Sequence, residues 1–133
     1  MASILKVDTI TGVTTAGSIA VTGEGNSTTT NLQQGLAKVW AKATQSDNSI
    51  YDSFNLTSIT DDGTGQLTFT IASDMANINY GFTSTTQVTD CGGLNATGTG
   101  ATTTGTAVHQ GRNSSGTDVD TNPVSIAIHG DLA

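Results

Sequence analysis

Alternation of apolar and polar residues predicts β-strands along most of this chain. The clearest case lies between Ser53 and Ile71, where apolar residues alternate on both sides of a turn cluster, Asp61-Asp62-Gly63-Thr64-Gly65. Two alternating runs around such a cluster predict a β-hairpin whose apolar residues share one face. The predicted register pairs Phe54 with Ile71, Leu56 with Phe69, Ser58 with Leu67 and Thr60 with Gly65, and it leaves residues 61–64 as the loop.

Ile59 interrupts this alternation, because it falls on the polar face together with Thr57 and Thr68. Two interpretations are open: a β-bulge at this point, or a contact between Ile59 and something outside the domain. We favour the bulge and keep Ile59 as a candidate contact residue.

Further strands are predicted on both sides of the hairpin. Residues 36–43 alternate, and we predict a strand there that a helical turn can precede, although apolar residues from Leu32 to Ala43 also fall at helical spacing. Residues 78–82 and 106–110 give two more strands. The last strand covers residues 124–129, with Val124, Ile126 and Ile128 facing inward, and Pro123 suits its start because a first residue needs no ladder donor. Six or seven such strands predict an antiparallel β-sandwich or jelly roll.

Two stretches lack this alternation. Residues 83–105 consist almost entirely of Thr, Gly, Ser and Asn, and we expect a surface loop or a thin edge ribbon there.

In the first thirty residues, short apolar runs at Ile4–Val7 and Ile19–Val21 predict two strands, and Gly23–Asn31 predicts a linker. This N-terminal β arm either lies against the main domain or is exchanged between copies, and we favour exchange. The expected organisation is an arm and linker over residues 1–30 and a β-sandwich over residues 31–133.

Composition supports the all-β class and narrows the partners. Only 35% of the residues are hydrophobic and 11% are charged, while Thr and Val suit strands and Gly and Asn suit turns. Four cations against eleven acidic residues give a net charge of −7, which argues against binding nucleic acid. We also expect no membrane partner, because no apolar run is long enough to cross a bilayer. The first residues lack the pattern of a signal peptide, so we expect the protein to be made and kept in a cytosol or to leave by lysis.

Residues that could carry chemistry are few, and we expect no enzyme, no cofactor and no metal. His109 and His129 occupy polar positions of predicted strands, and two histidines without a third ligand are a weak zinc pattern. Asp118 and Asp120 could offer oxygen ligands to calcium, but turn formation explains such a cluster better. Cys91 is expected to be a structural or surface thiol, because no basic residue lies beside it.

Trp40 is the most informative single residue. Lys38 and Lys42 flank it on the same face of the predicted strand. An aromatic ring between two cations could stack on a sugar or a base, but an isolated tryptophan is more often part of the core or of a subunit contact. We favour a packed interface.

Four stretches of the chain resemble small virion proteins of marine tailed bacteriophages, a group described as tail-fibre-like or structural. They are SILKVDTITG, NLQQGLAKVWAK, DSFNLTSITDDGTGQLTFTIASDMANINYGF and PVSIAIHGDLA. The resemblance extends from Ser3 to Ala133. It implies a building block without an active site, released by lysis and commonly assembled as a homotrimer.

The sequence thus leads to one main hypothesis and one alternative. The main hypothesis is a capsid decoration or cement protein in the virion, which binds the major capsid protein and other virion proteins as an oligomer; its expected contact residues are Ile4, Leu5, Val7, Trp40 and Ile59. The alternative is a tail-fibre or head-fibre tip that binds host-surface glycan. Trp40, Tyr51 or Tyr80 would then lie exposed at the glycan site.

Overall fold

The computed structural model of the protein describes residues 4–13, 19–22, 29–86, 91–94 and 102–133. Within these ranges the fold is all-β, as predicted, with antiparallel pairing throughout and a single four-residue helix. The chain divides into two compact units, Met1–Leu36 and Ala37–Ala133. The elements are β1 (Ala20–Thr22), β2 (Thr29–Asn31), α1 (Leu32–Gly35), β3 (Ala37–Thr44), β4 (Ser49–Phe54), β5 (Leu56–Gly63), β6 (Gln66–Ile71), β7 (Gly81–Thr86), β8 (Cys91–Leu94), β9 (Thr106–Arg112) and β10 (Val124–His129).

The second unit is a β-sandwich of two four-stranded sheets. Sheet I has the strand order β4-β3-β10-β7, and sheet II has the order β5-β6-β9-β8. One core lies between them, because buried apolar residues from both sheets form a single cluster; its largest fully buried members are Phe69, Leu67, Met75 and Ile128. The eight strands exceed the six or seven that we predicted.

The middle of sheet I follows the sequence pattern closely. Strand β10 begins and ends where predicted, and Val124, Ile126 and Ile128 are all buried. Strand β3 begins and ends one residue later than the predicted range, and α1 supplies the helical turn expected before it. Both strands bury every second residue, so their outward residues form a continuous outer face on sheet I.

The central hairpin exists, but its predicted register is wrong. Strands β5 and β6 pair Leu56 with Ile71 and Ile59 with Phe69, and the strands are irregular between Leu56 and Ser58 and again between Asp61 and Gly63. Gly63 pairs with Gln66, so the turn is tighter than the expected loop of residues 61–64. The first irregularity is the bulge that we favoured, and it brings Ile59 onto the core face, where the side chain is partly buried.

Asn55 is the physical reason for the wrong register. It adopts a left-handed backbone conformation with φ of 56°. Among the non-glycine residues of the described ranges, only Asn48, with φ of 54°, does the same. Asparagine tolerates this conformation better than most residues, and the chain turns there from sheet I into sheet II. The Asn55 side chain holds the corner, since its Nδ2 donates to the Lys38 carbonyl at 3.1 Å and its Oδ1 accepts from the Ser73 N–H at 2.8 Å. Phe54 and Leu56 therefore belong to different sheets.

The other predicted strands of the second unit are partly confirmed. Strand β9 covers the range predicted around Val108. The strand predicted over residues 78–82 begins only at Gly81, and Ile78 precedes it as an exposed residue. The polar stretch at 83–105 contains the end of β7 and the edge strand β8, which agrees with a thin edge ribbon. Parts of that prediction, residues 87–90 and 95–101, lie outside the described residues.

The first unit differs more from its prediction. Residues 4–13 form neither helix nor strand, so the strand predicted at Ile4–Val7 is wrong. Strands β1 and β2 pair as a hairpin, which confirms a strand near Ile19–Val21 and shows that the predicted linker over Gly23–Asn31 ends in a strand. Residues 14–18 and 23–28 of the predicted arm and linker lie outside the described residues.

Candidate functional site

The exposed aromatic side chains of this protein lie together on sheet I. The chain has one Trp, two Tyr and three Phe, and all six fall within the described ranges. Phe69, Tyr80 and Phe82 belong to the core or pack against it. The other three are Trp40, Phe54 and Tyr51, with exposed fractions of 39%, 54% and 63%. All three belong to the adjacent strands β3 and β4.

The pairing of the strands fixes how these residues are arranged. Trp40 is the register partner of Phe54 on one side and of Ala127 on the other, so two exposed rings stand side by side and a small residue follows them. Directly opposed residues of an antiparallel pair have Cβ atoms about 4.5–5.5 Å apart, close enough for side-chain contact. We call Trp40, Phe54 and Tyr51 the aromatic patch.

A polar row lies next to the aromatic patch on the same face. Lys42 is the register partner of Asp52 and of Ser125, and Ser125 is the partner of Thr85. The Lys42 ammonium lies 5.8 Å from the centroid of the Tyr51 ring, within the range of a cation–π interaction. The row therefore combines an ammonium, a carboxylate and two hydroxyl groups beside the exposed rings.

The polar row borders a shallow depression with a volume of about 180 Å³. Its lining consists of Lys42, Thr85, Thr86, Pro123 and Ser125. Small-molecule sites are concave and combine apolar surface with a few polar groups that orient the ligand. The outer face of sheet I has both parts, with the rings on β3 and β4 and the polar groups toward β10 and β7.

The five residues that we expected to make partner contacts differ in exposure. Trp40 is exposed on sheet I, whereas Ile59 is partly buried against the core. Ile4, Leu5 and Val7 are exposed in the first unit, together with Ile10 and Val13. The exposed fractions of the five apolar side chains between Ile4 and Val13 range from 53% to 90%. Four of them recur at every third residue, namely Ile4, Val7, Ile10 and Val13.

Tyr80 cannot form part of an exposed glycan site, which corrects the alternative hypothesis at this residue. Its ring is buried, and its hydroxyl lies 3.0 Å from the carbonyl oxygens of both Thr103 and Thr106. Burial raises the pKa of Tyr80 to about 12. Tyr80 thus anchors the segment that leads into β9.

His109 is buried in the core, and the prediction that it occupies an outward polar position of its strand is wrong. Its Nδ1 lies 3.2 Å from Ser84 Oγ on β7, and its Nε2 lies 3.1 Å from Thr121 Oγ1. Desolvation by burial lowers the pKa of His109 to about 4, so the ring is neutral at neutral pH. Two hydroxyl groups satisfy both ring nitrogens, which makes His109 a bridge between the two sheets.

A second buried polar group lies at the end of β3. The Gln45 side-chain amide donates to Asp61 Oδ1 and to the carbonyls of Gly63 and Gln66 at 3.1–3.2 Å. Its backbone N–H donates to Asn122 Oδ1 at 2.6 Å. Because these partners lie on the hairpin of sheet II and on the segment before β10, Gln45 ties the end of β3 to both.

The acidic side chains near this end close turns. Asp118 Oδ1 accepts from Arg112 Nε at 2.9 Å and from Gln110 Nε2 at 3.1 Å, and Asp120 Oδ1 accepts from the Gly65 N–H at 2.8 Å. These contacts support the turn interpretation of the cluster. Within the described ranges, no group of three or more His, Cys, Asp or Glu residues could hold a metal ion. The backbone of Cys91 begins β8, but its side chain is outside the described part of the chain.

Sequence reasoning found Trp40 and Lys42 but missed Phe54 and Asp52 as their neighbours. The prediction joined Phe54 to Leu56 in one strand and so turned it toward the core. The available indication was Asn55, since asparagine between two alternating runs is a frequent position for a left-handed turn.

Comparisons with protein families, with curated proteins and with solved structures found no match. Among the described residues, no helix is long and apolar enough to cross a membrane.

Proposed function

We propose that this protein is a structural component of a bacteriophage virion, a decoration or cement protein that attaches to the head lattice as a homo-oligomer through its N-terminal segment. The observation that carries the proposal is the exposure of five large apolar side chains, Ile4, Leu5, Val7, Ile10 and Val13, within ten consecutive residues. Each such side chain gains about 1.5–3 kcal/mol when it is fully buried. A segment of this kind is stabilised by a partner that covers it.

The spacing of these residues suggests how a partner would cover them. In an extended helix of the polyproline type, with three residues per turn, side chains at every third position lie on one side. Ile4, Val7, Ile10 and Val13 would then form one apolar stripe. Leu5 would lie beside the stripe, in line with Asp8, and Lys6 and Thr9 would face away. A stripe of this kind suits a groove between capsid subunits or between copies of this chain. In a trimer, each of the three copies would contribute one stripe.

Attachment of this type would stabilise the capsid by mass action. A protein that binds only the assembled lattice shifts the equilibrium toward assembly. The sandwich would then be the body that each copy displays, and the arm would be the part that attaches it. The resemblance to small virion proteins supports the same assignment.

The test replaces Ile4, Leu5 and Val7 together with serine in the full-length chain. We expect loss of the oligomer in light scattering and loss of co-sedimentation with phage heads, while the thermal unfolding temperature of the sandwich stays unchanged. Deletion of residues 2–22 should have the same effect. Ile78→Ser is the matched control, because Ile78 is also an exposed apolar residue but lies in the second unit.

An unchanged oligomer that still binds heads would refute the proposal. Cryo-electron microscopy of intact virions gives a second test, because density repeated over the icosahedral shell is expected. Density confined to the tail or to a few appendages would instead assign the protein to a fibre.

A further inference from the structure

We propose that the outer face of sheet I is a carbohydrate-binding site, in which a sugar ring stacks on Trp40 and Phe54 and its hydroxyl groups reach the polar row and the depression beside it. This inference depends on the sandwich alone and goes beyond the virion assignment. It accounts for a distribution of aromatic residues that packing does not explain.

The first argument is the placement of the rings. All three exposed aromatic side chains of the chain lie on β3 and β4, and two of them are direct cross-strand partners. Aromatic side chains supply large apolar surface and a ring face that interacts with C–H groups and cations. A pyranose ring offers C–H groups on its faces and hydroxyl groups around its rim, so it fits a surface that has rings in one row and polar groups in the next.

The second argument is the size of the apolar surface. With about 200 Å² for each fully exposed aromatic side chain, Trp40 and Phe54 together expose roughly 200 Å², and Tyr51 raises the total to roughly 300 Å². A standard protein interface buries about 800 Å² on each partner. The patch is therefore small for a stable protein contact and adequate for one or two sugar rings.

The third argument is the polar surroundings. Lys42, Ser125 and Thr85 follow one another across three adjacent strands, and Thr86 and Pro123 complete the lining of the depression. Ammonium and hydroxyl groups are the donors and acceptors that sugar hydroxyls use. A hydrophobic protein partner would leave these groups without water, whereas a sugar would bind them directly.

Charge favours an uncharged sugar. Lys42 faces Asp52 across the strands, so the polar row carries one charge of each sign. The chain as a whole has a net charge of −7, which repels polyanions such as acidic polysaccharides. The expected ligand is thus an oligosaccharide of neutral hexoses or N-acetylhexosamines.

The chain provides its own probe for this site, because Trp40 is its single tryptophan. Uncharged hexasaccharides of glucose, galactose, mannose and N-acetylglucosamine are titrated into the full-length protein while Trp40 fluorescence is recorded. In parallel, the protein is applied to an array of bacterial surface polysaccharides. We expect a saturable change in Trp40 emission with at least one neutral sugar, and array binding that changes little between low and high salt.

Three variants locate the binding. Phe54→Ala should weaken affinity about tenfold, because it removes one of the two stacked rings. Lys42→Gln should weaken binding less, because the amide can still donate to a hydroxyl group. Ile78→Ala is the matched control, an exposed apolar residue outside the aromatic patch, and it should bind as the unchanged protein does. Equal unfolding temperatures for all variants would show that the fold is intact.

Several outcomes would overturn the proposal. The first is that no sugar on the array binds and Trp40 emission does not change. The second is that Phe54→Ala binds the sugar as tightly as the unchanged protein does. The third is that only acidic glycans bind. Loss of head attachment in Phe54→Ala without any sugar binding would identify the patch as a protein contact and would also overturn it. Because the titration uses isolated protein, its result is independent of whether the N-terminal segment attaches to heads.

Discussion

The interior of the sandwich and the outer face of sheet I contain equal numbers of aromatic residues in opposite environments. Phe69, Tyr80 and Phe82 are packed between the sheets, whereas Trp40, Tyr51 and Phe54 are exposed to solvent on β3 and β4. The interior rings have apolar neighbours from both sheets, and the exposed rings have one neighbouring row of charged and hydroxyl groups. The difference shows that three of the six rings contribute to stability and leaves the other three available for binding.

Polar groups divide between the two regions in a related way. The interior contains His109 and Gln45. Both ring nitrogens of His109 and the side-chain amide of Gln45 have hydrogen-bond partners on other strands and loops. The outer face contains Lys42, Ser125 and Thr85 at the edge of an open depression. Interior polar groups therefore hold the sheets together, while those outside remain accessible to a ligand.

The largest expected effect is on the interior. Phe69→Ala should lower the free energy of unfolding by about 3–5 kcal/mol, because it removes a fully buried ring from the centre of the core and leaves a cavity. Urea denaturation followed by circular dichroism measures this loss. A change below about 1 kcal/mol would show that Phe69 does not occupy the core as described.

An intermediate effect is expected from the interior histidine. The pKa of His109 is about 4 in the folded protein, below the ordinary value of 6.5 expected for the unfolded chain. Between these two values the unfolded state binds a proton that the folded state does not, so stability falls as the pH drops from about 6.5 to about 4. The total loss from this group is about 3 kcal/mol.

Denaturation curves at pH 7, 6, 5 and 4 test this dependence. The His109→Gln variant should lose the part of the pH dependence of stability that His109 contributes, because glutamine does not bind a proton in this pH range. Both proteins contain the same acidic residues, so the comparison isolates the contribution of His109. Equal slopes in the protein and in His109→Gln would contradict the prediction.

The smallest effect on stability is expected on the outer face of sheet I. Phe54→Ser should change the free energy of unfolding by no more than about 0.5 kcal/mol, because the ring is more than half exposed and lies on the outer face. The same urea denaturation measures it, with Phe69→Ala as the reference. A loss above 2 kcal/mol would show that the exposed ring is a packing residue and would remove the contrast between the two regions.

The sequence predicted those parts of the sandwich in which one strand stays in one sheet. In β3 and β10 every second residue is apolar along the whole strand, so the alternation gives the buried face and places the ends of each strand to within one residue. The pattern failed at Asn55, where the chain passes between sheets without a break in alternation. The turn depends on a backbone conformation that asparagine permits but does not require.

The candidate site was predictable to a similar extent. Trp40 and Lys42 were correctly placed together, because both are outward residues of β3. Phe54 was missed as a direct result of the error at Asn55. His109 was expected to face outward because histidine is polar, and its actual position depends on Ser84 and Thr121, which are 25 and 12 residues away in sequence. Pairings of this kind are set by the folded topology.

Strand β3 has a mechanical consequence that follows from its place in the chain. It is the first strand after the N-terminal unit, it displays Trp40, and it is hydrogen-bonded on one side to β4 and on the other to β10. If the N-terminal segment were fixed to a large particle while a tethered polymer held Trp40, the tension would run along a few residues of this one strand. The rest of the sandwich would carry almost no load. Because the covalent backbone would bear this tension, the hydrogen bonds that join β3 to β4 and β10 would not be sheared, and the protein should act as a short link that does not unfold under the load.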